Sequence, residues 1–197
     1  MNDRLEGLPP AMVAPAHAKP RTAAPAAGAR RRWLTIGLLV ALVVLTATAL
    51  RVWVAEPFAI PSESMAPTLR GGDAVLVDKL AYRIADPHVG DLAVFHAPGS
   101  GEITLKRIVA VAGDTVGIED GVLYVNGKRR VESYADPEAI DSVFFGPVEV
   151  PAGAVFALGD NRGDSADSRR FGAISTAELI GRVRARVWPP NRWGLPR

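Results

Sequence analysis

The chain has 197 residues, 48% hydrophobic and 22% charged, which suits one folded domain with extensions and excludes a disordered protein. It has no cysteine, so disulfides, a thiol nucleophile and thiolate metal sites are excluded, and the three scattered histidines (His17, His88, His96) give little support to a triad or a zinc site. The net charge of +2 hides an asymmetry: residues 1–32 carry six basic and two acidic side chains, so the rest is net negative and nucleic-acid binding loses its main support.

Residues 1–32 are rich in Ala and Pro, lack apolar periodicity, and are expected to form a disordered cytoplasmic tail. From Trp33 to Leu50 run 18 residues without a charge, flanked by Arg32 and Arg51. As a helix this run is about 27 Å long, close to the ~30 Å hydrocarbon core of a bilayer. Extension to Val54, with Arg51 snorkelling and Trp33 and Trp53 at the two interfaces, predicts a transmembrane anchor over residues 33–54. Arg30, Arg31 and Arg32 mark the cytoplasmic side, which puts residues 55–197 outside the cytoplasm. The competing reading is a cleaved leader, since Ala47-Thr48-Ala49 has a small-x-small pattern; the long leader and the apolar residues beyond Ala49 favour the anchor.

Beyond Pro57 short β-prone runs alternate with turn signals: residues 74–77, 92–95, 104–111, 116–118, 122–125, 155–158 and 182–187. Residues 116–128 read as a hairpin, with Val122–Val125 leading into Asn126-Gly127. Only residues 175–180 suggest a short helix, with Ser175 or Thr176 as cap. The expected fold is all-β, a mostly antiparallel barrel-like domain behind one N-terminal transmembrane helix.

Three segments carry candidate chemistry. In Pro61-Ser62-Glu63-Ser64-Met65-Ala66-Pro67, two prolines favour an extended path that puts Ser62 and Ser64 on one face. Lys106 interrupts the apolar run 103–111, where Leu105, Ile108 and Val109 would desolvate it, and burial lowers a lysine pKa toward that of a usable base for a serine hydroxyl. From that segment alone the favoured reading is instead a lysine on the wet face of a half-exposed strand. The third segment, Gly159 to Arg169, fits a solvated loop held by Asx turns and ion pairs, a calcium loop of unusual spacing, or a polar support for Lys106.

These segments, in this order behind one anchor, resemble the signature boxes of bacterial type I signal peptidases. The resemblance spans Phe58 to about Gly172 and includes Ile60–Leu69, Gly72-Asp73 with Val77 and Lys79, Gly90-Asp91 with Phe95 and Pro98, Lys106-Arg107, and Gly159–Arg169. It implies Ser64 as nucleophile, Lys106 as general base and Ser62 in the oxyanion hole. Ser165 would orient Lys106, Asp160, Asp167 and Arg169 would brace the site, and Phe58, Ile60, Met65, Leu69 and Leu105 would line shallow substrate pockets. Ala112 stands where the family commonly has proline, and the chain has no room for a large inserted domain, so a compact form is implied.

The implied activity is that of a membrane-bound serine endopeptidase, cleaving signal peptides from exported preproteins at the cell membrane. No cofactor or metal is expected; the implied partners are signal peptides, membrane lipids and a nearby translocon, and the chain is expected to be a monomer. Other readings are a conjugative pilin-processing peptidase, a self-cleaving repressor, disfavoured by the tail and anchor, and a non-catalytic peptide-binding β domain.

Overall fold

The structure is a computed structural model that describes residues 27–135 and 144–196. Most of the expected N-terminal tail lies outside the described residues. Helix α1 spans Ala27–Trp53, so it begins six residues before the expected anchor and takes in the arginine cluster. Its stretch Arg30–Ala49 is long and apolar enough to cross a membrane, and its described side chains, among them Trp33, Leu38 and Leu45, are exposed. A helix apolar on all sides suits lipid.

Residues 45–197 form a second compact unit. Beyond α1 the regular structure of the described residues is almost entirely β. In chain order the strands are β1 (Ala55–Ala59), β2 (Ala74–Asp78), β3 (Leu92–His96), β4 (Ile103–Val111), β5 (Thr115–Glu119), β6 (Val122–Val125), β7 (Lys128–Arg129), β8 (Phe145–Glu149), β9 (Ala154–Leu158), β10 (Ile174–Ser175) and β11 (Leu179–Trp188). Two single-turn helices, α2 (Ala81–Ile84) and α3 (Ser168–Phe171), punctuate them. The seven-stranded half-barrel sheet has the order β1-β2-β11-β3-β4-β9-β10, and the smaller sheet β7-β6-β5-β8; all pairings are antiparallel.

Local sequence explains these elements. β9 reads AVFAL and is buried along its whole length, as a strand covered on both faces should be. Asp120-Gly121 and Asn126-Gly127 both take positive φ, the backbone of the two-residue turns that join β5 to β6 and β6 to β7. The expected single hairpin over residues 116–128 is thus a three-stranded meander.

Four strands fall outside the expected runs: the two-residue β7 and β10, too short to show a pattern, and β1 and β8, which hold Pro57 and Pro147. The proline-bearing β1 and β8 lie at sheet edges, where proline's missing N–H costs no ladder bond. The expected helix over residues 175–180 is a correction. Ser175 does cap, accepting from the Ala177 N–H, but only a 3₁₀ turn, Thr176–Glu178, follows. Leu179 already pairs with Phe95, so the apolar end of the segment goes into β11.

One core cluster gathers Ile60, Met65, Leu69, Val75, Val94 and Leu105, another Ala93, Phe95, Ile108 and Val155. β4 contributes to both, and Lys106 lies between those two contributions in sequence.

Candidate active site

Lys106 sits in the middle of β4, opposite Ala93 of β3, with β9 on the other side. It is 3% exposed. Strand alternation sends Leu105 into the cluster with Ile60 and Met65, while Lys106 and Arg107 leave on opposite faces.

The serine segment departs from the expected extended path. It folds into turns, with the Ala66 N–H donating to the Glu63 carbonyl and the Leu69 N–H to the Met65 carbonyl. The turns are what bury Met65 and Leu69, at 1% and 0% exposure, in one core. The hydroxyls still converge: Ser62 Oγ donates to Ser64 Oγ at 3.2 Å, and Lys106 Nζ lies 2.7 Å from Ser64 Oγ. Burial pushes the Lys106 pKa below its ordinary value, against the opposing pull of Asp167, Asp160, Asp164 and Glu102. A lysine with a depressed pKa, touching a hydroxyl, can accept that hydroxyl's proton.

The loop from Gly159 holds the back of the serine segment. The Asn161 N–H donates to the Ser64 carbonyl at 3.1 Å, and Asn161 Nδ2 to the Glu63 carbonyl at 3.3 Å. Contact is so close that a Cβ on Gly159 would fall on the Ser165 hydroxyl and the Ser64 carbonyl, so only glycine fits there.

Asp160 is fully buried, takes two hydrogen bonds from Arg107 at 2.8 and 2.7 Å, and accepts from Thr68 Oγ1 at 2.5 Å. That pair ties β4, the serine segment and the loop to one another. Asp167, also fully buried, accepts from the Gly159 N–H and from Arg169 Nε and Nη2. It also caps α3 through the Arg169 N–H.

Two expectations differ from the structure. Ser165 Oγ is buried without a hydrogen-bond partner, so the expected bond to Lys106 is not made. Leu69, expected in a substrate pocket, is sealed in the core and lines neither cleft at Ser64, because the turn points it inward. The other four expected pocket residues, Phe58, Ile60, Met65 and Leu105, do line a cleft of about 220 Å³ that reaches Ser62 and Ser64. A second cleft borders the same two serines and is lined by Lys106, Thr104, Glu102 and Asp164.

The sequence reading missed Thr68, Asn161 and Arg162 as parts of the scaffold. The signal for a buried ion pair was present: Arg107 follows Lys106 inside an apolar run, and an arginine buried there needs a carboxylate.

A family profile described as signal peptidase, peptidase S26, matches residues 30–188. The chain is 39% identical over 170 residues to a probable signal peptidase I-2 of Synechocystis, covering 83% of this chain and 77% of that protein. It is 36% identical over 217 residues to a signal peptidase I of Mycobacterium tuberculosis, covering 81% and 74%. A thylakoidal processing peptidase of Arabidopsis thaliana is 39% identical over 150 residues, covering 70% of this chain and 43% of that protein. A solved signal peptidase I of Enterococcus faecalis V583 is 31% identical, with a TM-score of 0.44 over 50% of this chain and 97% of that one.

Proposed function

Since the chain belongs to the signal peptidase family of S26 peptidases, we propose that it is a membrane-anchored serine endopeptidase that removes signal peptides from exported preproteins with a Ser64–Lys106 dyad. The observation that carries the dyad is the 2.7 Å approach of Lys106 Nζ to Ser64 Oγ inside a buried site.

Ser64 Oγ attacks the carbonyl at the cleavage point while neutral Lys106 takes its proton. The tetrahedral oxyanion is held by the Ser62 hydroxyl and the Ser64 N–H, one such donor being worth about 3–4 kcal/mol. Protonated Lys106 then donates to the leaving amine, and water releases the acyl group. The leaving chain exits on the side of the cleft that Lys106 lines. The cleft between Phe58, Ile60, Met65 and Leu105 takes the residues before the cut, and its small size favours small side chains at positions −1 and −3. Asp160, Asp167 and Arg169 brace the loop behind Ser64. The Ser165 hydroxyl, buried without a hydrogen-bond partner, supports Lys106 only if its side chain turns.

Helix α1 is the anchor, with Arg30, Arg31 and Arg32 on the cytoplasmic side and the β unit outside. N-terminal sequencing of the membrane form tests this: a start upstream of Trp33 supports the anchor, and a start at Leu50 removes it. The activity is tested with full-length protein in detergent and a labelled preprotein. Wild type yields the mature product, while Ser64→Ala and Lys106→Ala do not; full cleavage by Ser64→Ala would overturn the proposal.

A further inference from the structure

We infer that Glu132 and Tyr134 are positioning residues for the catalytic dyad, acting as a clasp that locks the two arginines on which the dyad's scaffold hangs. The inference rests on the dyad reading above.

Both residues lie on the segment that follows β7 of the smaller sheet, far in sequence from the dyad and from the loop at Gly159. Glu132 grips Arg162 with both carboxylate oxygens, at 2.7 and 2.6 Å, and both side chains are almost fully buried. Tyr134 Oη donates to the same carboxylate at 2.8 Å. The Tyr134 ring in turn lies under Arg107, whose guanidinium carbon is 3.9 Å from the ring centroid, a cation–π contact. One carboxylate and one ring therefore hold Arg162 and Arg107 at once.

Each arginine leads to one half of the dyad. Arg162 Nε donates to the Gly159 carbonyl at 2.9 Å, and Arg162 follows Asn161, whose N–H supports the Ser64 carbonyl. Arg107 follows Lys106 on β4 and clamps Asp160, which holds Thr68 at the far end of the serine segment. Without the clasp, Arg162 is left as a buried cation beside Asp160. It then competes with Arg107 for that carboxylate, and the separation of Ser64 from Lys106 is no longer fixed. A shift of an ångström at reacting atoms costs up to about a hundredfold in rate, so a partial loosening should cost about tenfold.

The test uses full-length protein in detergent and an internally quenched peptide cleaved after Ala-x-Ala. Rates are normalised to the folded fraction from near-ultraviolet circular dichroism, well below each variant's Tm. Glu132→Gln and Tyr134→Leu should each lower kcat about tenfold with KM within about twofold. Tyr134→Phe, which keeps the ring under Arg107, should stay within about threefold of wild type. The double variant should lose little more than either single one, because the two residues form one device.

A kcat per folded enzyme that is unchanged in both single variants, with only Tm lowered, would show a merely structural strap and overturn the inference. So would a loss carried by KM alone. Should Glu132→Gln fail to fold, the two Tyr134 variants decide by themselves. Ser64→Ala is run in parallel: cleavage surviving there strikes at the dyad, while loss there with unchanged clasp variants strikes at the clasp only.

Discussion

Lys106 Nζ and Ser64 Oγ lie 2.7 Å apart although 42 positions separate them in the chain. The lysine is presented by the rigid middle of a nine-residue strand and the serine by a tight turn, and a third element, the loop at Gly159, bonds the turn from behind. Three elements that fix one another in this way preorganise the pair, as the proposed dyad requires.

The site is arranged at a cost in stability that can be measured. A lysine whose folded pKa is depressed binds fewer protons in the native than in the unfolded state between that pKa and about 10.5. Stability therefore rises with pH across that window and is lowest below it. Lys106→Met should raise Tm at pH 7 while abolishing cleavage, and the gain should shrink as pH approaches 10.5. A Tm difference independent of pH would refute the burial argument.

Ser62→Ala removes the hydroxyl 3.2 Å from Ser64 Oγ. With one of two oxyanion donors lost, kcat should fall about 10²–10³-fold with little change in KM. Steady-state kinetics on the quenched peptide checks this, and a pure KM effect would remove Ser62 from the oxyanion hole.

The Arg107–Asp160 pair is nearly solvent-free on both sides. Asp160→Asn strands a buried guanidinium and should destabilise the fold by about 3–5 kcal/mol, read from urea unfolding. A loss below about 1 kcal/mol, the size of an exposed pair, would show that the network does not hold the loop.

Much of the site was legible in the sequence, for reasons that particular residues make plain. Lys106 stood out because a charge inside a β-prone apolar run is costly unless it has a task or a partner. Turn pairs such as Asn126-Gly127 announced their hairpin because few residues accept that backbone. Leu69 was assigned to a pocket by the resemblance alone, and nothing in its own residue type separates pocket wall from core; the turn at residues 63–69 decides by burying it. Glu132 and Tyr134 gave no signal, since their partners, Arg162 and Arg107, are distant in sequence and meet them only through the sheet. The edge strands β1 and β8 were hidden by their prolines.

The two positions of Leu69 and Ile60 separate core from pocket. Leu69→Ala should cost about 2–5 kcal/mol in stability and leave the preference for small residues at −1 and −3 unchanged. Ile60→Ala enlarges the cleft and should admit larger side chains there. A peptide library varied at −1 and −3 reads both; a changed preference in Leu69→Ala would return that residue to the pocket.

The central claim, that neutral Lys106 takes the Ser64 proton, is tested most directly by the pH profile of kcat/KM for the full-length enzyme in detergent on the quenched peptide. The expected profile has an ascending limb below 10.5, reporting the depressed lysine of the free enzyme. A limb at the ordinary lysine value, about 10.5, would contradict it.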